Sequence, residues 1–448
     1  MSNVLDLYDQ TYFSFERAAG VTNLLQCVWV YNRAIDIDGV RRFHQRLQQG
    51  LLSRRIERSP LPFGRHRWVS PSGQSELEIA TPRPREEFDA WLDEQASTPL
   101  DAEHGPGWHL AVLPFTDGGA GLSLVVSHCL IDGVGLCEAL AAAGGGRTDP
   151  IGWPAAGSRR RWQALREDAR QTARDIPAIG RAVVAASRFA RRHRGGDGAA
   201  TAPPVLSTGA DERVTLSTAT IFVDADEWDA RAHALGGTSN TLLAGLAARL
   251  AHRVGRVTAD GSVTPSIPVN ERTAGDTRAN AITNVDITVD PTPATTDLRE
   301  IRAATKQALI RSKAEPDERW ALLPLVPLLS AGLTRRLVGV ATGGATNVVS
   351  SNLGAVPVTL NRPDGTDADY FTMKSLYPGV TKAVMHRTGG VLALLSGRVH
   401  QQVFVSVLAY QPGRPNSNDD LWQDLSSVLK DFSLSATTGW ADATARAA

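Results

Sequence analysis

Apolar residues along this chain come in short runs separated by charged and glycine- or proline-rich stretches, and their spacing alternates between the strand and helix periods. Residues 22–31 (Thr-Asn-Leu-Leu-Gln-Cys-Val-Trp-Val-Tyr) are β-branched and aromatic enough to predict a strand. From Asp36 to Leu52 the apolar positions Val40, Phe43, Leu47 and Leu51 fall three or four apart, which predicts a helix. Short strands are expected at Arg65–Ser70 and Glu76–Ala80, and a helix over Pro84–Gln95 with proline in its first turn. The run Leu122–Ser127 reads as a buried strand. Asp132-Gly133 then turns the chain into an alanine-rich helix, Leu136–Ala143.

The alternation resumes further on. A strand is expected at Arg213–Val223, a helix at Asp224–Leu235, and a buried helix at Thr238–Val254 that Ser239 or Asn240 could cap. Strands follow at Val263–Arg272 and Asn280–Val289, and an amphipathic helix at Asp297–Lys313. Leu322–Leu337 is apolar but carries Pro324 and Pro327, so it predicts a kinked helix. A strand at Thr346–Gly354 leads to strands at Asp369–Tyr377, Gly390–Val399 and Gln402–Tyr410 and a last helix at Asp419–Phe432. Repeated strand and helix signals of this kind predict an α/β protein.

Residues 144–204 break the rhythm. Gly144-Gly145-Gly146 ends the helix, and Ser158–Arg194 then holds eleven arginines against Glu167, Asp168 and Asp175. Apolar positions at Trp162, Leu165, Ala169, Ala173, Ile176, Ile179, Val183 and Phe189 recur every three or four residues, which makes this a cationic amphipathic segment interrupted at Pro177. It can be a solvated helix between two halves, a phosphate-binding element, or a contact for an anionic membrane surface. Gly195–Pro204 reads as linker. The expected division is therefore 1–190, a linker at 191–204, and 205–448.

A length of 448 residues fits two to three domains, and 42% hydrophobic with 21% charged residues is ordinary for a soluble globular chain. A formal net charge of zero gives no argument for a nucleic-acid partner. Cys27, Cys129 and Cys137 form no Cys-x-x-Cys pair, which argues against a disulfide framework and a zinc site and fits a reducing cytoplasm. Residues 1–9 lack a basic segment followed by an apolar one, and no window approaches 18 apolar residues, so neither a signal peptide nor a membrane span is expected. Hydrolase, nucleotide-binding and zinc-peptidase signatures are absent from the sequence, and no metal is expected.

Candidate chemistry gathers at the end of the first buried strand. His128 is the side chain suited to moving a proton near neutral pH, and Asp132 follows it across a tight turn. A histidine closing a core strand ahead of an Asp-Gly turn is the competing, purely structural reading. Cys129 points to the opposite face from its neighbour and is a poor nucleophile candidate, and His109 sits on an alternating strand where a structural role is expected.

Several segments in register with His128-Cys129-Leu130-Ile131-Asp132-Gly133 resemble the His-x-x-x-Asp-Gly acyltransferase superfamily. They are Pro99-Leu100-Asp101, Pro106-Gly107-Trp108, Pro268-Val269-Asn270-Glu271-Arg272, the strand from Asn280, and Ser351-Asn352 with Gly354. That superfamily includes chloramphenicol acetyltransferase, condensation domains of nonribosomal peptide synthesis, polyketide-associated acyltransferases and wax ester synthase/diacylglycerol acyltransferases. The last two branches are the most similar. Ser127 stands where many members have a first histidine, Ala279 replaces a usual glycine, and the Asp-Phe-Gly-Trp-Gly motif of plant relatives is absent.

The resemblance implies two chloramphenicol acetyltransferase-like subdomains with mixed sheets, arranged as a V-shaped pseudo-dimer with His128 in a central channel. It implies acyl transfer from a thioester, on coenzyme A or a phosphopantetheine-bearing carrier protein, to an alcohol, with no permanently bound cofactor. His128 would be the general base, with Asp132, Gly133 and Arg272 supporting the site. Arg272 would pair with Asp132, and Ser351 and Asn352 would line the channel or stabilise the oxyanion. The alternatives are amide formation on an amine acceptor by a free-standing condensation enzyme, and a catalytically silent homologue that binds carrier proteins. Residues 158–194 could then touch a donor's phosphates or a membrane.

Overall fold

The apolar runs assemble into two mixed sheets, each with its own core. The computed structural model describes residues 3–71, 73, 75–148, 150–192, 212–314, 320–329, 332–333, 347–438 and 440. In chain order the first half runs α1 (Leu7–Ala19), β1 (Leu24–Tyr31), α2 (Ile37–Leu47), β2 (Arg55–Glu57), β3 (Arg67–Val69), β4 (Leu77–Ile79), α3 (Phe88–Ala96), β5 (Trp108–Pro114), β6 (Ala120–Ser127), α4 (Gly133–Gly144) and α5 (Arg161–Arg192). The second half begins with β7 (Ser217–Asp224), α6 (Ala225–Ala234), α7 (Ser239–Arg253), β8 (Thr264–Asn270), β9 (Ile282–Asp286), α8 (Arg299–Ala314) and β10 (Asn347–Ala355). It ends with β11 (Tyr370–Leu376), α9 (Lys382–Thr388), β12 (Val391–Val399), β13 (Gln402–Tyr410), α10 (Asn418–Asp431) and β14 (Thr437–Thr438).

The first sheet has the order β11-β1-β6-β5-β4, antiparallel except for the parallel pair β4 and β5. β1 and β6 are buried at every position, which explains their unbroken apolar runs. Gln26 is a polar exception on β1, and its amide donates to Ser123 Oγ at 3.0 Å and to the Leu92 carbonyl at 2.9 Å, so its burial leaves no donor stranded. The second sheet has the order β14-β7-β13-β12-β10-β8-β9, with β10 parallel to both β12 and β8. α6, α7, α8 and α10 pack with it around Trp228, Leu242, Leu246, Leu425 and Phe432.

The two halves interlock. β11 belongs by sequence to the second half, yet it pairs antiparallel with β1 in the first sheet, from Leu24 opposite Leu376 to Val30 opposite Tyr370. A division at residue 205 therefore does not describe sheet membership. Trp440 also returns to the first half, where its indole N–H donates to Asp89 Oδ1 at 2.9 Å and its ring meets Phe88, Phe222 and Tyr370. As a result the first core includes Phe222, Leu395 and Phe404 from the second half.

Most expected elements appear with trimmed ends, and the differences have local causes. Thr238, rather than Ser239 or Asn240, caps α7. It forms a reciprocal box with Thr241, while Ser239 Oγ accepts from the Trp228 indole at 2.8 Å. The proline-bearing segment forms a 3-10 helix at Trp320–Leu328 in place of the expected kinked α-helix. The linker expected at 195–204 and the end of that apolar segment, 334–337, lie outside the described residues. α1 and α9 were not anticipated. α1 begins at the Asp6 cap and stops at Gly20, whose φ of 66° is left-handed.

Candidate active site

β6 delivers His128 to the seam between the halves, and the turn that follows is tied down at almost every polar group. The His128 N–H donates to the Asn23 carbonyl at 2.9 Å, which continues the β1–β6 ladder one residue further. The Leu130 N–H closes the turn onto the Ser127 carbonyl at 2.9 Å, and Ser127 Oγ accepts from the Cys129 N–H at 3.3 Å. Fully buried Arg54 donates to the Leu130 carbonyl at 2.6 Å and to the Thr277 carbonyl. The Arg54 guanidinium lies 4.1 Å from the Trp68 ring centroid, and burial pulls its pKa down to about 10, so it stays charged.

Asp132 ends the turn and starts α4. Its Oδ1 accepts from the Gly135 N–H at 2.7 Å as the helix cap. Its Oδ2 accepts from Arg272 Nη2 at 2.7 Å and from the Ala281 N–H at 2.7 Å, and its own N–H donates to the Ala279 carbonyl at 2.8 Å. Both side chains of the Asp132–Arg272 pair are almost wholly buried. Arg272 also donates to the carbonyls of Asp276, Arg278 and Ala279. Both carboxylate oxygens are thus taken up by α4, Arg272 and Ala281, and they tie the turn to the second half. A Cβ at Gly135 would sit 2.9 Å from Arg272 Cζ, so only glycine lets the guanidinium lie against the first turn of α4. At Gly133 a Cβ would meet Leu353 Cδ2 at 3.0 Å, the point where the end of β10 reaches the turn.

A third side of the site comes from α1, which sequence reasoning missed. Buried Asp9 accepts from the Ala279 and Asn280 N–H groups at 2.9 and 2.8 Å, and the Asn280 amide donates to the His128 carbonyl at 3.2 Å. Burial raises the Asp9 carboxyl to about 6. Tyr12 stacks on the imidazole, with ring centroids 5.1 Å apart, and its hydroxyl accepts from the Asn23 amide. Glu16 accepts from the Asn23 N–H at 2.6 Å and from the Cys129 thiol at 2.9 Å, and burial lifts its carboxyl to about 7. Asp6, two or three residues before a run of aromatic and acidic side chains, is the cap signal that could have revealed this helix.

Burial holds the His128 imidazole below its usual pKa, against opposing contributions from its own carbonyl, Asp132 and Asn280. Its Nδ1 and Asn280 Oδ1 are both buried and lack a hydrogen-bond partner among the described residues. The Cys129 thiol is buried, and burial together with Glu16 pushes its pKa well up, so it is no thiolate. His109 accepts or donates at Glu78 Oε2 (2.9 Å), away from this cluster.

Ser351 and Asn352 lie on β10 and face different ways. Asn352 donates to Asn240 Oδ1 at 2.6 Å at the start of α7, and its own Oδ1 accepts from the Gly354 N–H at 2.8 Å, so its amide is engaged within the second half. Ser351 is half-buried on the face shared with Leu353, the residue that abuts Gly133. The structure thus brings Asp132, Gly133 and Arg272 together around the His128 turn, while the Asn352 amide bonds to Asn240 and Gly354. A cavity of about 500 Å³ opens against the Thr273–Arg278 loop, lined also by Asp6, Arg65 and Trp68, and His128 does not line it.

The fold has solved counterparts. The first condensation domain of the calcium-dependent antibiotic synthetase, in complex with a substrate analogue, superposes with a TM-score of 0.57 at 14% identity, over 98% of this chain and 99% of that one. The wax ester synthase/diacylglycerol acyltransferase of Marinobacter aquaeolei VT8 gives 0.56 at 16% identity, over 96% and 98% of the two chains. This is the two-subdomain chloramphenicol acetyltransferase-like fold. Polyketide synthase associated protein 5 of Mycobacterium tuberculosis shares it, with a TM-score of 0.54 at 15% identity over 93% and 96%. No protein-family model matches the chain, and no curated protein matches it in sequence. Among the described residues no helix is long and apolar enough to cross a membrane.

Proposed function

We propose that the chain is an acyltransferase that moves an acyl group from a thioester to an alcohol, with His128 as general base. The observation that carries this reading is the presentation of an imidazole, held neutral by burial, on a turn whose backbone is braced from β1, α1 and the second half together. A base that must meet two substrates in one geometry needs such bracing, because a small misplacement costs much of the rate.

In this scheme His128 takes the proton as the acceptor oxygen attacks the thioester carbonyl. The tetrahedral intermediate collapses with cleavage of the C–S bond, and His128 returns the proton to the thiolate, so ester and thiol leave and the base is regenerated. For Nε2 to act, the ring proton belongs on Nδ1. His128 Nδ1 and Asn280 Oδ1 are both buried and unpartnered among the described residues, so a small ring rotation that joined them would fix that tautomer. The Gly133 N–H at the start of α4 and the Ser351 hydroxyl are the candidate donors to the developing oxyanion. Asp132 holds the turn and takes no proton. The donor thioester would sit on coenzyme A or on a carrier protein's phosphopantetheine, and the chain needs no resident cofactor for this chemistry.

The test is thiol release from a panel of acyl-coenzyme A and carrier-bound acyl donors, with alcohol and amine acceptors, comparing the native protein with His128→Ala. Acceptor-dependent release that disappears in the folded variant supports the reading, and the acceptor that works decides between ester and amide. Equal release from both proteins, or none from either with any donor, defeats it.

A further inference from the structure

The outer face of α5 segregates charge in a way that the site does not use. The helix has 32 residues and so spans about 48 Å at 1.5 Å per residue. All three of its carboxylates lie within reach of an arginine, and Asp168 turns wholly inward. Asp168 is buried and accepts from Arg67 and Arg159, both at 2.9 Å, and from Ser59 Oγ at 2.7 Å. Glu167 lies 3.6 Å from Arg159, and Asp175 lies 3.6 Å from Arg65. The outward positions carry arginines instead. Arg166, Arg170, Arg174, Arg181 and Arg188 are exposed, and none of them forms an ion pair among the described residues.

On the other flank of this outer arc runs an apolar line. Trp162, Ala169, Ile176 and Val183 recur every seven residues, and the heptad of Arg174, Arg181 and Arg188, two positions out of step with them, lies about 160° round the helix, with Arg166 and Arg170 on the arc between. Trp162 is 83% exposed and Ile176 61%, with Val183 and Val184 about half exposed. Leu328, on the 3-10 helix that packs against α5, is exposed too. A solvated bridging helix has no reason to carry a tryptophan and an isoleucine on its open side.

We infer that this face of α5 lies in the plane of an anionic lipid surface, with Trp162, Ile176 and Val183 entering the headgroup boundary and the arginine row meeting lipid phosphates. A cationic stripe edged by apolar side chains, on a helix whose carboxylates are each already matched to an arginine, is the chemistry of an in-plane interfacial helix. A second copy of the same face would meet it with like charge. An acidic carrier protein would match the arginines, but it would leave unexplained an apolar line that runs about 32 Å along the helix from Trp162 to Val183. The inference is independent of the acyl-transfer reading, because His128 takes no part in it.

The experiment is co-sedimentation of the full chain with phosphatidylcholine vesicles and with vesicles in which part of the lipid is phosphatidylglycerol. It is run at low and at physiological ionic strength, since the screening length shrinks from about 30 Å at 0.01 M to about 8 Å at 0.15 M. Binding to the anionic vesicles only, weaker at high salt, is expected. Replacing Arg166, Arg170, Arg174 and Arg181 together by Gln lowers vesicle affinity by at least about tenfold, while the matching Lys replacements retain it. Trp162→Phe removes the blue shift of tryptophan emission that accompanies binding. The proposal is overturned by absence of binding to anionic vesicles at low salt, by binding that the folded Gln variant retains in full, or by binding of an acidic carrier protein at this face without any vesicle binding.

Discussion

The His128–Gly135 turn and the outer face of α5 are both dense in polar groups, and the protein treats them in opposite ways. In the turn every charge is paired inside the fold. Asp132 meets Arg272, two backbone N–H groups meet the same carboxylate, and Arg54 is fixed by two carbonyls and an aromatic face. On α5 only the carboxylates are paired, and the arginines are left to solvent. Burial makes the difference. An unpaired charge in the turn would forfeit its hydration without compensation, whereas an exposed guanidinium keeps its water. The first region is therefore sensitive to any single change, and the second is tolerant except toward a partner outside the chain.

The largest contrast expected is in activity. His128→Ala should lower kcat/KM for thiol release by about 10²- to 10⁴-fold with an unchanged circular dichroism spectrum, and a drop of less than tenfold would remove the general-base role. Next comes stability. Arg272→Ala leaves Asp132 charged and buried, and urea unfolding should show a loss of about 3–5 kcal/mol. Replacing both partners at once, Asp132→Asn with Arg272→Met, should cost less than Arg272→Ala alone. If it costs more, the pair is not the unit that holds the turn.

A smaller effect sharpens the base itself. Because burial lowers the His128 pKa, the imidazole stays neutral down to pH values below the usual 6.5 or so, and the acid limb of the pH–rate profile should fall there. The same depression means that His128 contributes stability above its unfolded pKa and loses that contribution as pH falls through the folded value. Asn280 opposes the depression, so Asn280→Ala should move the acid limb further down and lower kcat/KM at neutral pH. An acid limb unmoved by that change would leave Asn280 a merely structural residue. The smallest effect belongs to α5, where Arg174→Gln should change stability by no more than about 0.5 kcal/mol and leave thiol release unaltered.

Much of the site is legible along the chain, and what is legible is local. The strand ending at Ser127, the histidine after it and the Asp-Gly helix start follow from apolar spacing and turn chemistry within about fifteen residues. Arg272 could be matched to Asp132 only through resemblance, since no local pattern joins residues 140 apart. Asn352 was expected at the channel, and its amide bonds to Asn240 and Gly354. That bond to the start of α7 joins residues 112 apart, which no local pattern along the chain foretells. Asp9, Tyr12 and Glu16 went unread because buried polar residues on a helix interrupt the apolar period by which helices are recognised.

The sequence by itself determined the elements, because propensity, spacing and capping act over one turn or one strand. It also determined the character of the chemistry, a neutral-range base beside a carboxylate, because that resides in residue type. Only the tertiary structure decided that β11 completes the first sheet, that α1 roofs the imidazole, and that the carboxylates of α5 meet arginines of the fold while Arg166, Arg170, Arg174, Arg181 and Arg188 face solvent. Those outcomes depend on contacts between residues tens to hundreds of positions apart. Their energies arise from burial, and a one-dimensional pattern does not contain burial until the chain has folded.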